Sequence, residues 1–317
     1  MTKPGRAVAA TLTGVAAAGA AAFAWGVVVE RNRFTVRHET LALLAPGARP
    51  LTVLHLSDLH MAPEQTAKQD FVRSLARYEP DLIVDTGDNL GHVDGNSGVE
   101  RALAPFAGVP GVFVHGSNDY YGPVLKNPLR YFVTLEDSRP GRAPDLDTAG
   151  LERFFTESLG WLDLNNTARG IEIKGTPIEF FGTNDAHRDW DRLDLLPGAI
   201  EALRENVSWS DDDAEVLSIG VTHAPYRRVL DDFVNQGARL VLAGHTHGGQ
   251  VRIPGLPALV TNCDIPPSQA QGLSRWRTGT HTAHLNVSAG IGTSIYAPFR
   301  FACPPEAVVL TLIPRDR

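Results

Sequence analysis

The stretch Arg239-Leu240-Val241-Leu242-Ala243-Gly244-His245-Thr246-His247-Gly248-Gly249-Gln250 opens as a short apolar strand and ends in two histidines among three glycines. Glycine keeps bulk away and lets the backbone turn tightly, so two imidazoles one residue apart can address neighbouring metal positions. A strand that runs into such a cluster is typical of α/β folds, whose sites gather beyond the carboxyl ends of strands.

Four more clusters repeat the arrangement. The apolar strand Leu51–Leu56 runs into Ser57-Asp58-Leu59-His60. Asp58 and His60, two apart in extended chain, face the same way and can share one ion. Asp81–Val84 precedes Thr86-Gly87-Asp88-Asn89, where a carboxylate after a glycine turn can bridge two cations. Val112–His115 precedes Gly116-Ser117-Asn118-Asp119-Tyr120-Tyr121, which offers a neutral amide oxygen. Val216–Val221 precedes Thr222-His223.

Any one of these reads equally well as an ordinary turn or a structural histidine. Their joint order at strand ends carries the inference. Nitrogen and oxygen donors without thiolate suit Mn, Fe, Zn or Co, and there are too many for one ion, which favours a pair bridged by Asp88. Cys263 and Cys303 form no CxxC pattern, so a cysteine metal site is excluded; they stand as two separate thiols or as a pair formed in an oxidising compartment.

Between the clusters, helical periodicity covers Ala67–Tyr78, Val99–Ala107, Leu151–Leu159, Leu195–Arg204 and Tyr226–Asn235. Ile171–Ile173 and Ile178–Phe181 read as a hairpin, and Leu285–Val287 and Val308–Leu312 as final strands. Alternating strands and helices predict parallel strands with crossover helices. The segment 122–150, rich in Pro, Arg and Asp, reads as a long loop over the site. Asp185 and His187 stand in a polar loop that reads either as surface or as part of the same cleft; Arg252 and Arg300 are candidate phosphate contacts.

Ala7–Val29 is an uncharged, Ala-rich run, long enough to span a bilayer and longer than a usual signal-peptide core. This predicts an N-terminal transmembrane anchor over residues 1–30, with a cleaved signal segment as the alternative. Residues 31–50 read as a tether, and 51–317 as the catalytic domain. The expected location is the cell membrane, single-pass, with the catalytic domain extracytoplasmic. A net charge of −7 gives no basic footprint, so no nucleic acid is expected as partner.

Taken together, Asp58-x-His60, Gly87-Asp88, Gly116-Ser117-Asn118-Asp119, His223 and Gly244-His245-x-His247 resemble the calcineurin-like metallophosphoesterase family over residues 50–314. Gly244–Gln250, with Ala289–Ser294, Pro298–Phe301 and Pro305-Glu306, is similar to a bacterial membrane-tethered branch of it. The resemblance implies an α/β fold, a four-layer α-β-β-α sandwich, and two divalent metal ions. Asp58, His60 and His247 would hold one ion, His223 and His245 the second, and Asp88 would bridge. The implied reaction is hydrolysis of a phosphodiester or pyrophosphate bond by a metal-bridging hydroxide, on a small-molecule or lipid- or nucleotide-linked substrate near the membrane.

One departure stands out. The family pattern G-N-H-D is G-S-N-D here, so either Ser117 or Asn118 completes the second metal position, and the usual proton-donating histidine is missing. Asn118, with its amide oxygen, is the better ligand and joins Asp88 as a candidate catalytic residue. His92, His115 or His187 would supply the proton instead, or the leaving group is acidic enough to need none. The alternative reading is a non-catalytic metal-binding protein that keeps the fold.

Overall fold

The computed structural model describes residues 3–123, 145–211 and 213–316. Two six-stranded mixed sheets form its centre. In chain order the strands of the first are β1 (Thr35–Leu44), β2 (Leu51–Leu56), β3 (Leu82–Asp85), β4 (Gly111–Phe113), β5 (Leu162–Asp163) and β12 (Glu306–Pro314). The second holds β6 (Thr167–Ile173), β7 (Thr176–Gly182), β8 (Leu217–Thr222), β9 (Leu240–Ala243), β10 (Gly272–Thr278) and β11 (His281–Val287). The spatial orders are β1-β12-β2-β3-β4-β5 and β10-β11-β9-β8-β7-β6. As the alternation predicts, β2, β3 and β4 run parallel, and so do β7, β8 and β9.

Side chains on a strand alternate between faces, and that period sorts the core. Leu51 and Val53 of β2, Leu82 and Val84 of β3, Ile219 and Val221 of β8, and Leu240 and Leu242 of β9 meet in one buried cluster between the sheets. Leu54, Leu56 and Ile83 point the other way. They pack under the helices α2 (Thr66–Ser74), α3 (Gly95–Leu103) and α4 (Thr148–Arg153). On the far side Val241 and Ala243 pack under α5 (Leu196–Asn206) and α6 (Arg227–Asn235). The layers therefore run α-β-β-α.

The segment 31–50, expected as a tether, differs. Its residues Thr35–Leu44 form β1, which pairs in parallel with β12 from Thr35↔Glu306 onward. Polar Arg37, His38 and Glu39 break its apolar alternation, because this edge strand exposes part of its length to water. Residues 124–144, most of the expected loop over the site, lie outside the described residues. Both cysteines are free thiols, and Cys303 is buried.

The N-terminal helix α1 (Lys3–Ala24) continues through a π-helical turn, Trp25–Val29, and a 3-10 turn, Glu30–Asn32. Thr11–Asn32 contains an 18-residue window with a mean hydropathy of 1.8, and the helix is long enough to cross a bilayer. Its last turns are docked on the domain. Gly26 is buried against Phe299 and the Arg300 carbonyl, Phe23 stacks on Phe299 at 5.4 Å, and the Cys303 amide donates to Glu30 Oε1 at 2.7 Å.

Candidate metal centre

All five clusters converge where the parallel strands end. Asp58 and His60 follow β2, Asp88 follows β3, Asn118 follows β4, His223 follows β8, and His245 and His247 follow β9. Among the described residues, two groups of donors lie close enough to hold an ion: Asp58, His60 and His247, and Asp58, Asp88 and His223. His60 and His247 bring their Nε2 atoms to 3.2 Å from each other, with the rings stacked at 5.1 Å. His247 Nε2 is 3.5 Å from Asp58 Oδ1, and His60 Nε2 is 3.7 Å from Asp88 Oδ2. On the other side His223 Nε2 is 3.4 Å from Asp88 Oδ2 and 3.2 Å from His245 Nδ1. Asp88 thus reaches both halves of the cluster.

The electrostatics suit a cation. Asp58 Oδ1 is buried with no hydrogen-bond partner in the protein. An unpaired buried carboxylate oxygen is costly, and an ion would satisfy it. Burial raises the Asp58 carboxyl above its ordinary pKa and lowers His60 to about 4. Burial, with His60 and Arg300 nearby, also holds His247 well below its ordinary value. Neutral imidazoles are the form that binds metals. For His223 burial works in the same direction, but the Asp88 carboxylate outweighs it and the pKa rises. The residues fit a pair of divalent ions.

The supporting shell fixes which nitrogen points inward. His223 Nδ1 meets the Thr86 carbonyl at 2.8 Å, leaving Nε2 for the centre. His245 Nε2 meets the Asn262 carbonyl at 3.1 Å, leaving Nδ1. Gly244 sits against Ser57 and Asp58: a side-chain carbon there would collide with Ser57 Oγ and come within 2.6 Å of Asp58 Oδ2.

In the altered third cluster the Asn118 amide reaches Asp88 Oδ2 at 2.6 Å, and its backbone N–H donates to Asp88 Oδ1 at 2.9 Å. Ser117 is held through its backbone N–H by Asp185 Oδ2 at 2.9 Å. Asp119, fully buried, is a clamp that the sequence reading missed. It accepts from the backbone amides of Asp88, Asn89, Leu90 and Gly116 at 2.6–3.2 Å. Its signal in sequence was only its place at the end of the cluster.

The three histidines offered as replacement proton donors are scattered. His92 pairs with Asp94 on a partly exposed loop. His115 points at Glu152, 3.2 Å away; burial pulls its pKa down, but Asp119 and Glu152 outweigh this and push it to about 9. Only His187 lies beside the centre, its ring 4.6 Å from that of His245 and its Nδ1 3.0 Å from the Tyr226 hydroxyl. Arg300 is corrected from phosphate contact to scaffold. It is fully buried and donates to the carbonyls of Ala289, Gly290, Gly292 and Cys303. Arg252 donates to the Gly248 carbonyl at 2.6 Å.

Comparison with known proteins agrees with the geometry. Residues 51–249 match the family model described as calcineurin-like phosphoesterase. The Bacillus subtilis uncharacterized protein YpbG is 25% identical over 84% of this chain and 82% of its own. The uncharacterized metallophosphoesterase YkuE of the same organism is 25% identical over 90% and 86%. The Escherichia coli phosphodiesterase YaeI is 27% identical over 88% and 87%. The chain belongs to the calcineurin-like phosphoesterase family and is a metallophosphoesterase.

Proposed function

We propose that the protein hydrolyses a phosphodiester or pyrophosphate bond at a two-metal centre, on a substrate presented at a membrane surface. Asp58, His60 and His247 would hold one ion, His223, His245 and Asn118 the other, and Asp88 would join them. The observation that carries this reading is the Asp88 carboxylate, within 3.4–3.7 Å of a histidine from each half. When bound, such ions supply the Lewis acidity that activates water and neutralises phosphoryl oxygens.

The chain's own residues set the rest. Asn118 occupies the place where the family pattern has a proton-donating histidine, and an amide has no proton to give near neutral pH. A leaving group that departs as a stable anion, such as a phosphate monoester or an aryl oxide, suits this site. That favours a diphosphate or an activated diester over a simple alkyl ester.

The apolar helix supports a membrane-tethered branch of the family and an anchor that stays in place. Glu30 is buried, bonded to the Cys303 amide and to Trp25 Nε1 at 2.9 Å. Cleavage ahead of these residues would leave their docking contacts without the helix that directs them.

The test is metal analysis together with hydrolysis of bis(4-nitrophenyl) phosphate by the full chain in detergent. Two ions per chain and Mn-stimulated turnover, lost in Asp88→Asn, are expected. No turnover with any of several metals and phosphoesters would sink the proposal and leave a non-catalytic metal-binding protein.

A further inference from the structure

The last turns of the N-terminal helix lie against the catalytic domain without being covered by it. Phe23 stacks on Phe299 and Gly26 packs on the Arg300 carbonyl, while Trp25, Val28 and Val29 stay 41–67% exposed. The helix rises up to about 9 Å between Phe23 and Val29. The Phe299 loop therefore runs alongside the apolar stretch rather than beyond its end.

Two loops continue this surface. The first, 250–262, leaves the end of the histidine cluster and is bonded to the second, 293–301. Val251 bridges Phe301, the Arg252 amide donates to the Phe301 carbonyl at 2.9 Å, and the Gln250 side-chain amide donates to the Ala297 and Phe299 carbonyls at 2.8 Å. Ile253-Pro254-Gly255-Leu256 is a tight turn, closed by the Leu256 amide on the Ile253 carbonyl at 2.9 Å. Gly255 has φ 80°, as the third residue of a type II turn requires after proline. The turn holds an apolar side chain at each end. Ile253, Leu256 and Leu259 are 47–54% exposed, and Tyr296 on the second loop is 50% exposed. Neither loop contains Asp or Glu, in a chain of net charge −7. The other exposed large apolar side chains of the domain among the described residues, Val93, Tyr121 and Leu195, lie on three separate segments. Clustered apolar exposure marks a contact surface, whereas single exposed residues are ordinary.

We propose that these loops form a second membrane contact beside the N-terminal helix, with Ile253, Leu256, Leu259 and Tyr296 entering the headgroup boundary of the same bilayer. This rests on the reading of that helix as a retained anchor. Continuity with the helix names the occupant. A bilayer that takes up the helix as far as Val29 meets Phe299 at the depth of Phe23, and with it the loops bonded to Phe299. Apolar and aromatic side chains suit that boundary, and the lack of carboxylates avoids repulsion by anionic lipids. The contact also places the metal centre. The first loop begins just beyond His247, and the carbonyl of its last residue, Asn262, meets His245 Nε2 at 3.1 Å. The segment that touches lipid is thus tied at both ends to candidate metal ligands, which holds the centre close to the membrane plane.

The test labels one cysteine at a time with an environment-sensitive fluorophore and reconstitutes the full chain in phosphatidylcholine vesicles. Cys263→Ser removes the partly exposed native thiol, and Cys303 is buried. Ile253→Cys, Leu256→Cys and Tyr296→Cys report on the loops, Val15→Cys on the helix, and Leu195→Cys on an exposed site of another segment. Melting temperature confirms that each variant is folded. Lipids with a quencher on the acyl chain are expected to dim the loop labels at a depth of roughly 5–10 Å and to leave Leu195→Cys bright. Quenching at Val15→Cys with none at the loops keeps the anchor and overturns the second contact. Quenching at the loops with none at Val15→Cys supports a lipid contact and overturns the anchor. Quenching at neither overturns both, and equal quenching at Leu195→Cys overturns the assignment to these loops. Loop labels shielded from an aqueous quencher but untouched by the lipid quencher, and more so at higher protein density, would make a second copy of the chain the occupant and overturn the proposal.

Discussion

Asp119→Asn tests whether the third cluster is built around a clamp. In the native chain each carboxylate oxygen accepts two backbone N–H groups: Oδ1 from Asn89 and Leu90, Oδ2 from Asp88 and Gly116. An amide keeps one acceptor oxygen and sets an NH2 donor against the other pair. Two buried N–H groups then lose their acceptor, at roughly 1–3 kcal/mol each, or roughly 2–6 kcal/mol together. At about 2 °C per kcal/mol for a chain of this size, the melting temperature should fall by about 4–12 °C. The loops that move carry Asp88 and Asn118, so metal content should fall as well. The assay is thermal unfolding of the full chain in detergent, with metal analysis on the same sample. A melting temperature within about 1 °C of the native value, with metal retained, would refute the reasoning.

Gly244→Ala should lose metal while its secondary structure is kept, because the new methyl meets Ser57 Oγ and Asp58 Oδ2; overpacking of this kind costs about 1–3 kcal/mol, read by circular dichroism beside metal analysis. His55 gives a pH signature. Burial, and then the Arg37 charge, lower its pKa to about 3, so it stays neutral in the fold while the unfolded chain takes up a proton below about 6.5. Its depressed value means that stability is full above pH 6.5 and declines as pH falls toward 3, by about 2 kcal/mol at pH 5. Urea midpoints of metal-free protein at pH 7 and pH 5 should show this drop, and His55→Gln should lessen it; an equal drop in both would exclude His55 as the source.

Much of the fold was legible because its strands are short and buried. Ile219 and Val221 or Leu240 and Leu242 have few stable alternatives to a strand between two packed layers. The missed strands are those facing water. β1 carries Arg37 and Glu39, and β10 carries Ser274, Arg275 and Arg277, so apolar alternation is lost where one face is solvated. Arg37 was misleading for a further reason. It reaches Glu306 and Asn286, and Asn286 in turn contacts His55 Nδ1 at 2.9 Å. His55 Nε2 meets Thr86 Oγ1, and the Thr86 carbonyl holds His223. A polar residue in an apparent tether is thus the outer end of a hydrogen-bonded chain that ends at a candidate metal ligand. No local pattern announces a connection that exists only across the sheet.

The same limit explains why the clusters looked like ordinary turns. Asp58, His60, Asp88, His245 and His247 have φ between 40° and 67°, in the left-handed region that non-glycine residues avoid. Each such residue costs roughly 1–2 kcal/mol. A turn of that shape normally selects Gly or Asn, so Asp and His at these places work against local preference. They persist because the surroundings over-determine them. The amide of Asp58 is held by the Gly87 carbonyl and that of His60 by the Asp88 carbonyl, while the amide of Asp88 is held by Asp119. Two clusters far apart in sequence thereby hold each other in a strained shape, and the strain turns their side chains toward a common point. Residue types at strand ends reveal which donors are present. That they converge on one centre follows from backbone bonds between loops, and those bonds leave no trace in residue spacing.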